Sequence, residues 1–237
     1  MLDRLQAAFE SEQRFTSDAS HELRTPLGLL KAQITLALSR PRDAPALTTM
    51  VQAMEGYVDR MTRLVETMLA LARTGEPLNQ HVRVDLAELL SGLTGQMQDA
   101  GGSRRIRFTL DTSSALNASV MGDPDRLTQL FMNLLDNAVK YSHDGSSVHI
   151  SLKPQESGWA IDVADEGVGI APEHLSHVFE RFYRTDVSRA RQTGGIGLGL
   201  PIAQAIAKQH SGYITVQSRL GSGSVFTVWL PRLLEKD

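Results

Sequence analysis

"DRLTQLFMNLLDNAVKYS", Asp125 to Ser142, spells out an amphipathic helix. Leu127, Leu130, Phe131, Leu134, Leu135 and Ala138 recur at spacings of three and four, which gathers them on one apolar face. Asp123 can cap this helix and Pro124 can open it. Away from that face, Asn133, Asn137 and Lys140 stand four and three residues apart and share a second stripe. A carboxamide oxygen is a neutral hard ligand, suited to Mg²⁺ that keeps several waters and bridges phosphates. A lysine one turn on suits phosphate charge. Taken alone, asparagines on a helix face are more often solvated surface.

The segments around this helix mix strands and helices. "VDLAELLSGLTGQM" reads as a helix begun at Asp85, and "RIRFTLD" alternates as a strand. "VHISLK" and "AIDVAD" follow as strands, then a glycine-rich stretch and a helix from about Leu200 to Gln209. "YITVQSR" and "SVFTVWL" close the chain as a hairpin turned by "LGSG". The pattern predicts a mixed sheet backed by helices, an α/β sandwich.

The first third has a different grammar, helical with no strand signal. Leu23, Leu27, Leu30, Ile34 and Ala37 make one apolar seam; Val51, Met54, Val58, Met61, Val65, Met68 and Ala72 make another. "SRPRDAPA", with Pro41 and Pro45, stops the first helix and restarts the second. Two helices bury such seams poorly, so pairing with a second copy into a four-helix bundle is expected, with packing on the rest of the chain as the alternative. Gly75 and Pro77 break the pattern. The expected fold is therefore α+β: a helical hairpin over residues 1–74, a linker over 75–83 and a sandwich domain over 84–237.

Three further stretches bear on chemistry. "VADEGVGI" puts Asp165 at a strand end, followed by Gly167 and Gly169. A carboxylate there can accept from an exocyclic amine such as that of adenine, and glycines let backbone approach a ring; alone, the motif is simply a turn. "TGGIGLGL" places Gly194, Gly195, Gly197 and Gly199 just before a helix, which makes an anion site or a flexible loop. It is neither a dinucleotide fingerprint nor a P-loop. "FERFYR", Phe179 to Arg184, alternates aromatic and basic residues; Arg181 and Arg184 can face solvent or a phosphate.

The hairpin carries its own motif, "FTSDASHELRTPLGLL", Phe15 to Leu30. A neutral imidazole nitrogen is a nucleophile, and an imidazole of ordinary pKa, about 6.5, is mostly neutral at neutral pH. Glu22 can hold or remove the other ring proton of His21. Pro26 lacks an N–H, so the carbonyl of Glu22 loses its helical partner and a kink or soft point is expected after the histidine. Thr25 lies one turn beyond His21 on the same face, where its hydroxyl can aim a water or bond back to a helix carbonyl. His81, His143, His149, His174, His177 and His210 show no ligand spacing and read as surface or packing residues.

Composition narrows the field. A net charge of -3 gives no basic face for nucleic acid, and the absence of cysteine excludes disulfides, thiolate metal sites and a cysteine nucleophile. No apolar run approaches the ~18 residues that span a bilayer.

Jointly, these stretches resemble a sensor histidine kinase of two-component signalling. "ASHELRTPL" looks like the phosphoacceptor box of its dimerisation and histidine-phosphotransfer domain. "NLLDNAVKYS", "DEGVGI", "FERFYR" and "GGIGLGL" look like the asparagine, first glycine, phenylalanine and second glycine boxes of its ATP-binding domain, in the family's order. That domain resembles the fold shared with gyrase, Hsp90 and MutL ATPases. The resemblance implies ATP and Mg²⁺ as cofactors, His21 as phosphoacceptor and Glu22 as general base or orienter. It implies Asn137 as metal ligand and Asp165 as adenine reader. Asn133, Lys140, Tyr141, Arg184 and the glycines Gly167, Gly169, Gly195, Gly197 and Gly199 would line the nucleotide. A threonine at the place of Thr25 goes with phosphatase action on the regulator.

Implied partners are a second copy and the receiver domain of a response regulator. A sensor region outside this chain would attach it to the inner or plasma membrane, leaving this portion cytoplasmic. Three positions depart from the common pattern: Glu166 where Thr or Asn is frequent, Ile196 where a hydroxyl often sits, and Pro201 in place of a small residue. A regulator phosphatase and a non-catalytic nucleotide-binding dimeric scaffold are the rival readings; the His21–Glu22 pair speaks against the scaffold.

Overall fold

The computed structural model describes residues 2–100, 104–185 and 195–233. These form two compact units, residues 2–70 with 195–196 and residues 71–185 with 197–233. The first is built from α1 (Leu2–Leu38) and most of α2 (Ala44–Arg73). Arg42 donates to the carbonyl of Leu36 at the end of α1, and Asp43 accepts from the Ala46 N–H at the start of α2, so the proline-rich turn caps both helices.

Helix α2 carries two apolar stripes where the sequence suggests one. Met50, Leu64 and Leu71 are buried, with Tyr57 half-buried between them. Val51, Val58 and Val65, one residue on and so about 100° further round, stay exposed, as do Leu27 and Ile34 of α1. Helix α1 runs through Pro26 without ending, and the buried proline ring sits inside it.

The second unit contains β1 (Val82–Asp85), α3 (Leu86–Ala100), β2 (Arg107–Asp111), β3 (Ser119–Gly122), α4 (Pro124–Tyr141), β4 (Ser147–Gln155), β5 (Gly158–Asp165), the short α5 (Pro172–Leu175), α6 (Gly199–Gln209), β6 (Tyr213–Ser218) and β7 (Ser224–Pro231). Five strands form one sheet in the order β2-β4-β5-β7-β6, with β2 and β4 parallel and the remaining pairs antiparallel. Strands β1 and β3 make a separate antiparallel pair. Both are only four residues long, and β1 begins at Val82, inside the segment read as linker.

Alternation along the strands sends Val148, Ile150 and Leu152, Ile161 and Val163, and Phe226, Val228 and Leu230 to one face. Leu127, Leu130, Phe131, Leu134, Leu135 and Ala138 of α4 are buried with them, at no more than 3% exposure, as their spacing predicts. Ile202, Ala203, Ile206 and Ala207 of α6 complete this core. On the opposite face of the sheet Asp162 accepts from Lys153 and Thr227, and Tyr213 stacks on Trp229 with ring centroids 5.4 Å apart. Trp159 is buried; its indole N–H donates to the Ser119 carbonyl, and the Arg232 guanidinium lies over its ring.

Candidate nucleotide site and phosphoacceptor helix

Asp123 caps α4 by accepting from the N–H groups of Asp125 and Arg126, with Pro124 in the first turn. That cap fixes which way the helix faces. With the leucine stripe inward, Asn133, Asn137, Lys140 and Tyr141 are held half-buried. Arg104 closes the other end, donating to the carbonyls of Val139, Lys140 and Ser142 and pairing with Asp144. A cation at a helix C-terminus suits the dipole. No motif points to Arg104, because three of its four partners are backbone carbonyls more than 30 residues further along the chain.

The first glycine turn meets the end of α4. The Tyr141 carbonyl accepts from the Val168 N–H, and Ser142 bridges to Gly167. A side chain at Gly167 would overlap that carbonyl, so the close approach requires glycine. Asp165 is 9% exposed, and its Oδ1 accepts from the Gly167 N–H at 2.9 Å. Burial pushes its carboxyl up to about 6, against the opposing effect of backbone hydrogen bonds from Gly167 and Ser224. Gly169 has φ +67 and packs on the Arg219 backbone, a conformation and a fit that a side chain would disrupt. Glu166, the unusual neighbour, accepts from the Ser147 N–H and so ties the turn to β4.

The second glycine box, from Gly197 onward, joins the same unit. Gly199 opens α6 beside Asn133, and the N-cap position, Leu198, offers no side-chain cap. The first N–H groups of α6 are left available to an anion. Gly197 accepts from the Phe182 N–H at 2.9 Å, which draws "FERFYR" to the glycine box. The half-buried Phe179 packs edge-on against Phe226, and Tyr183 hydrogen-bonds His174. Arg184 and Gly195 are half-buried, and Pro201 is buried in the first turn of α6; Gly194 lies outside the described residues. Among the described residues, the Asn133 Nδ2 is buried without a hydrogen-bond partner. A buried orphan donor beside an uncapped helix start fits a polar, anionic ligand.

In the hairpin unit His21 is exposed. Glu22 is half-buried, with its Oε2 3.8 Å from Nη2 of Arg60 on α2, so the acid beside the histidine is oriented by the second helix. Thr25 Oγ1 donates to the His21 carbonyl at 3.3 Å, the back-bond that was the simpler of its two expected roles. The hydroxyl oxygen keeps its accepting capacity in that arrangement.

His210 is the histidine the motifs least explained. It is 5% exposed; its Nδ1 bonds the Ile206 carbonyl, and its Nε2 accepts from the Asp123 N–H at 3.0 Å. Burial holds its pKa below the ordinary value, which keeps Nε2 free to accept. A Cβ at Gly122 would stand 2.5 Å from this ring, so the glycine before the α4 cap is required by the histidine.

A helix hairpin bearing an exposed histidine, joined to a sandwich whose glycine turns and asparagine helix converge, defines the class: a phosphoacceptor hairpin with an ATP-binding partner domain. Two family models match accordingly. Residues 11–77 match the His Kinase A (phospho-acceptor) domain, and residues 122–234 match the histidine kinase-, DNA gyrase B-, and HSP90-like ATPase family. The chain belongs to the sensor histidine kinases of two-component systems. It is 38% identical over 231 residues to the sensor histidine kinase RppB of Synechocystis sp. (strain ATCC 27184 / PCC 6803 / Kazusa), a match covering 94% of this chain and 50% of RppB. The chain thus spans about half the length of the curated relatives it matches.

Among solved structures, the Acinetobacter baumannii histidine kinase AdeS matches with TM-score 0.69 and 25% identity, covering 90% of this chain and 98% of that one. Full-length ShkA, solved in complex with AMPPNP, matches with TM-score 0.69 and 28% identity over 95% of this chain and 47% of that one. Among the described residues no helix is long and apolar enough to cross a membrane.

Proposed function

We propose that this chain is the catalytic core of a protein-histidine kinase: it transfers the γ-phosphoryl of ATP to His21 and passes it to an aspartate of a response-regulator receiver domain. The observation that carries this reading is the pairing of an exposed histidine, flanked by an oriented carboxylate, with a nucleotide site assembled from α4, the Asp165 turn and the uncapped start of α6. The AMPPNP bound by the similar ShkA supports a nucleotide here.

A neutral ring nitrogen of His21 attacks the γ-phosphorus. The bond to the β-bridging oxygen breaks, and ADP leaves with that electron pair. Positive charge developing on the ring is relieved as Glu22 holds or takes the proton on the other nitrogen. Arg60 on α2 lies 3.8 Å from the Glu22 carboxylate and restrains it. The transferring group needs positioning and charge neutralisation more than covalent help. Asp165 would accept from the adenine amine, Asn133, Lys140, Tyr141 and Arg184 would line the nucleotide, and the α6 N–H groups would face phosphate. Mg²⁺ would be held by Asn137 together with phosphate and water, where it supplies charge neutralisation.

We place the working limits at residues 1–74 for the phosphotransfer hairpin, 75–83 for the linker and 84–237 for the ATP-binding domain. The exposed valine stripe of α2 supports a homodimer, since a second copy would cover it. A cytoplasmic position beneath a membrane-attached sensor suits the family. Regulator phosphatase activity is the second reading, favoured by Thr25 one turn from His21.

Incubation with γ-labelled ATP tests the assignment. Acid-labile, base-stable label on His21 is expected; release of free phosphate with no protein label would replace kinase by hydrolysis.

A further inference from the structure

The ATP-binding unit holds two side chains on the backbone that leaves α2, and the phosphoryl chemistry above uses neither. Arg126 is buried in the first turn of α4, at 8% exposure. A cation there opposes the positive end of the helix dipole. Among the described residues no carboxylate pairs with its guanidinium, a costly state for a buried charge. Its Nη2 donates instead to the carbonyl of Arg73, the last residue of α2, at 3.1 Å. There the negative end of another helix receives it.

Gln209, the last residue of α6, sends its amide nitrogen to the carbonyls of Thr74 and Glu76, both at 2.8 Å. The turn between is already tightened by N–H groups of Thr74, Gly75 and Glu76 donating to Leu71, Ala72 and Arg73. The His210–Asp123 bond ties the end of α6 to the start of α4, so the two side chains act from one braced frame.

We propose that Arg126 and Gln209 are positioning residues for phosphoryl transfer: they fasten the exit turn Arg73–Glu76 to α4 and α6, so the ATP-binding unit pivots on α2 before Leu71 and not at the Gly75–Pro77 stretch. Leu71, buried and grouped with the ATP-binding unit, belongs to the fastened part. The inference rests on the kinase reading. The helices that carry Asn133, Asn137 and Gly199 then receive any bend of α2 directly. Loosening the clasp leaves the nucleotide site whole and costs only the delivery of the γ-phosphoryl to His21.

The test uses the full chain as wild type, Gln209→Ala, Arg126→Lys and Gln209→Lys, the lysines each retaining a donor. Amide exchange is followed over residues 71–80, with AMPPNP affinity and the His21 labelling rate at saturating ATP. In the wild type the amides of Thr74 to Glu76 should exchange as slowly as those of α6, and Gln209→Ala should speed them by about ten-fold or more. The same variant should keep AMPPNP affinity within about two-fold and lose about ten-fold in labelling rate, while Gln209→Lys and Arg126→Lys keep most of the wild-type rate. Fast exchange at Thr74 to Glu76 in the wild type, an unchanged labelling rate, or an affinity loss that parallels the rate loss would each overturn the proposal. A wild type that takes no label at His21 would overturn the kinase reading instead, and the exchange arm alone then decides the clasp.

Discussion

Asn133 faces Gly199 across the meeting of α4 and α6: a Cβ at Gly199 would stand 3.4 Å from the Asn133 Oδ1. An alanine fits at that distance, but a branched side chain displaces the amide. Gly199→Ala should therefore bind AMPPNP nearly as the wild type does. Gly199→Val should weaken binding by about ten-fold, roughly 1.4 kcal/mol, through lost positioning of Asn133. Calorimetric titration of both variants checks the contrast.

Asp165 gives a pH dependence whose sign is fixed by burial. Its folded-state carboxyl is raised to about 6 from 3.8, so the folded protein holds its proton longer than the unfolded chain does. The Asp165 contribution to stability is then greatest below the unfolded value, falls as pH rises from about 4 to 6, and stays low above that. Nucleotide affinity runs the other way, because the amine of adenine is best received by the ionised form. Binding at pH 5 should be about ten-fold weaker than at pH 7.5. Asp165→Asn should flatten both profiles, raise the melting temperature of the ligand-free protein at pH 7.5 and weaken AMPPNP binding. Parallel melting and binding series from pH 4.5 to 8 would show it.

His21→Gln should abolish phosphoprotein while AMPPNP affinity stays at the wild-type value, since His21 falls in one unit and Asn133, Asn137 and Asp165 in the other. Filter-bound label and a fluorescent-nucleotide titration on the same preparation are sufficient.

Charging the exposed stripe should separate association from folding. Val58→Asp or Val65→Asp places a carboxylate where the single chain is open to solvent, so the helix survives while the second copy is rejected, at about several kcal/mol per buried charge. Leu64→Asp, at a site 2% exposed, should unfold the hairpin itself. Sedimentation and helix content measured together distinguish the two outcomes.

Thr25→Ala should leave His21 labelling within a few-fold of wild type and slow regulator dephosphorylation by about ten-fold. The back-bond to His21 makes the hydroxyl a held group whose oxygen can still accept. Decay of phosphorylated regulator with ADP present is the measurement; equal decay would leave Thr25 with its helix bond alone.

Periodicity made the helices legible. The leucine stripe of α4 is buried residue for residue, and Asp123 caps it, because that face and that cap are local facts of spacing. The pair β1 and β3 is not legible in the sequence, since four-residue strands supported by each other across the chain leave too short an alternation to read. The α2 seam through Val51, Met54, Val58, Met61, Val65, Met68 and Ala72 lies beside the stripe that the single chain buries at Met50, Leu64 and Leu71, with Met54, Met61 and Met68 half-buried. One apolar repeat cannot say which of two adjacent stripes meets the neighbour at hand. Arg104, Arg126 and Gln209 were silent for a shared reason. Asp144 beside Arg104 apart, their partners are main-chain carbonyls, which carry no side-chain signature in a sequence.

Both tryptophans of the chain, Trp159 under Arg232 and Trp229 stacked on Tyr213, belong to the ATP-binding unit. The hairpin contributes none. Indole emission is thus a private signal of one unit, while far-ultraviolet ellipticity is dominated by the long helices of the other. A denaturant series read at both wavelengths resolves which half of the molecule yields first, with no label added. A mismatch between the two curves would show that the chain does not unfold in one step.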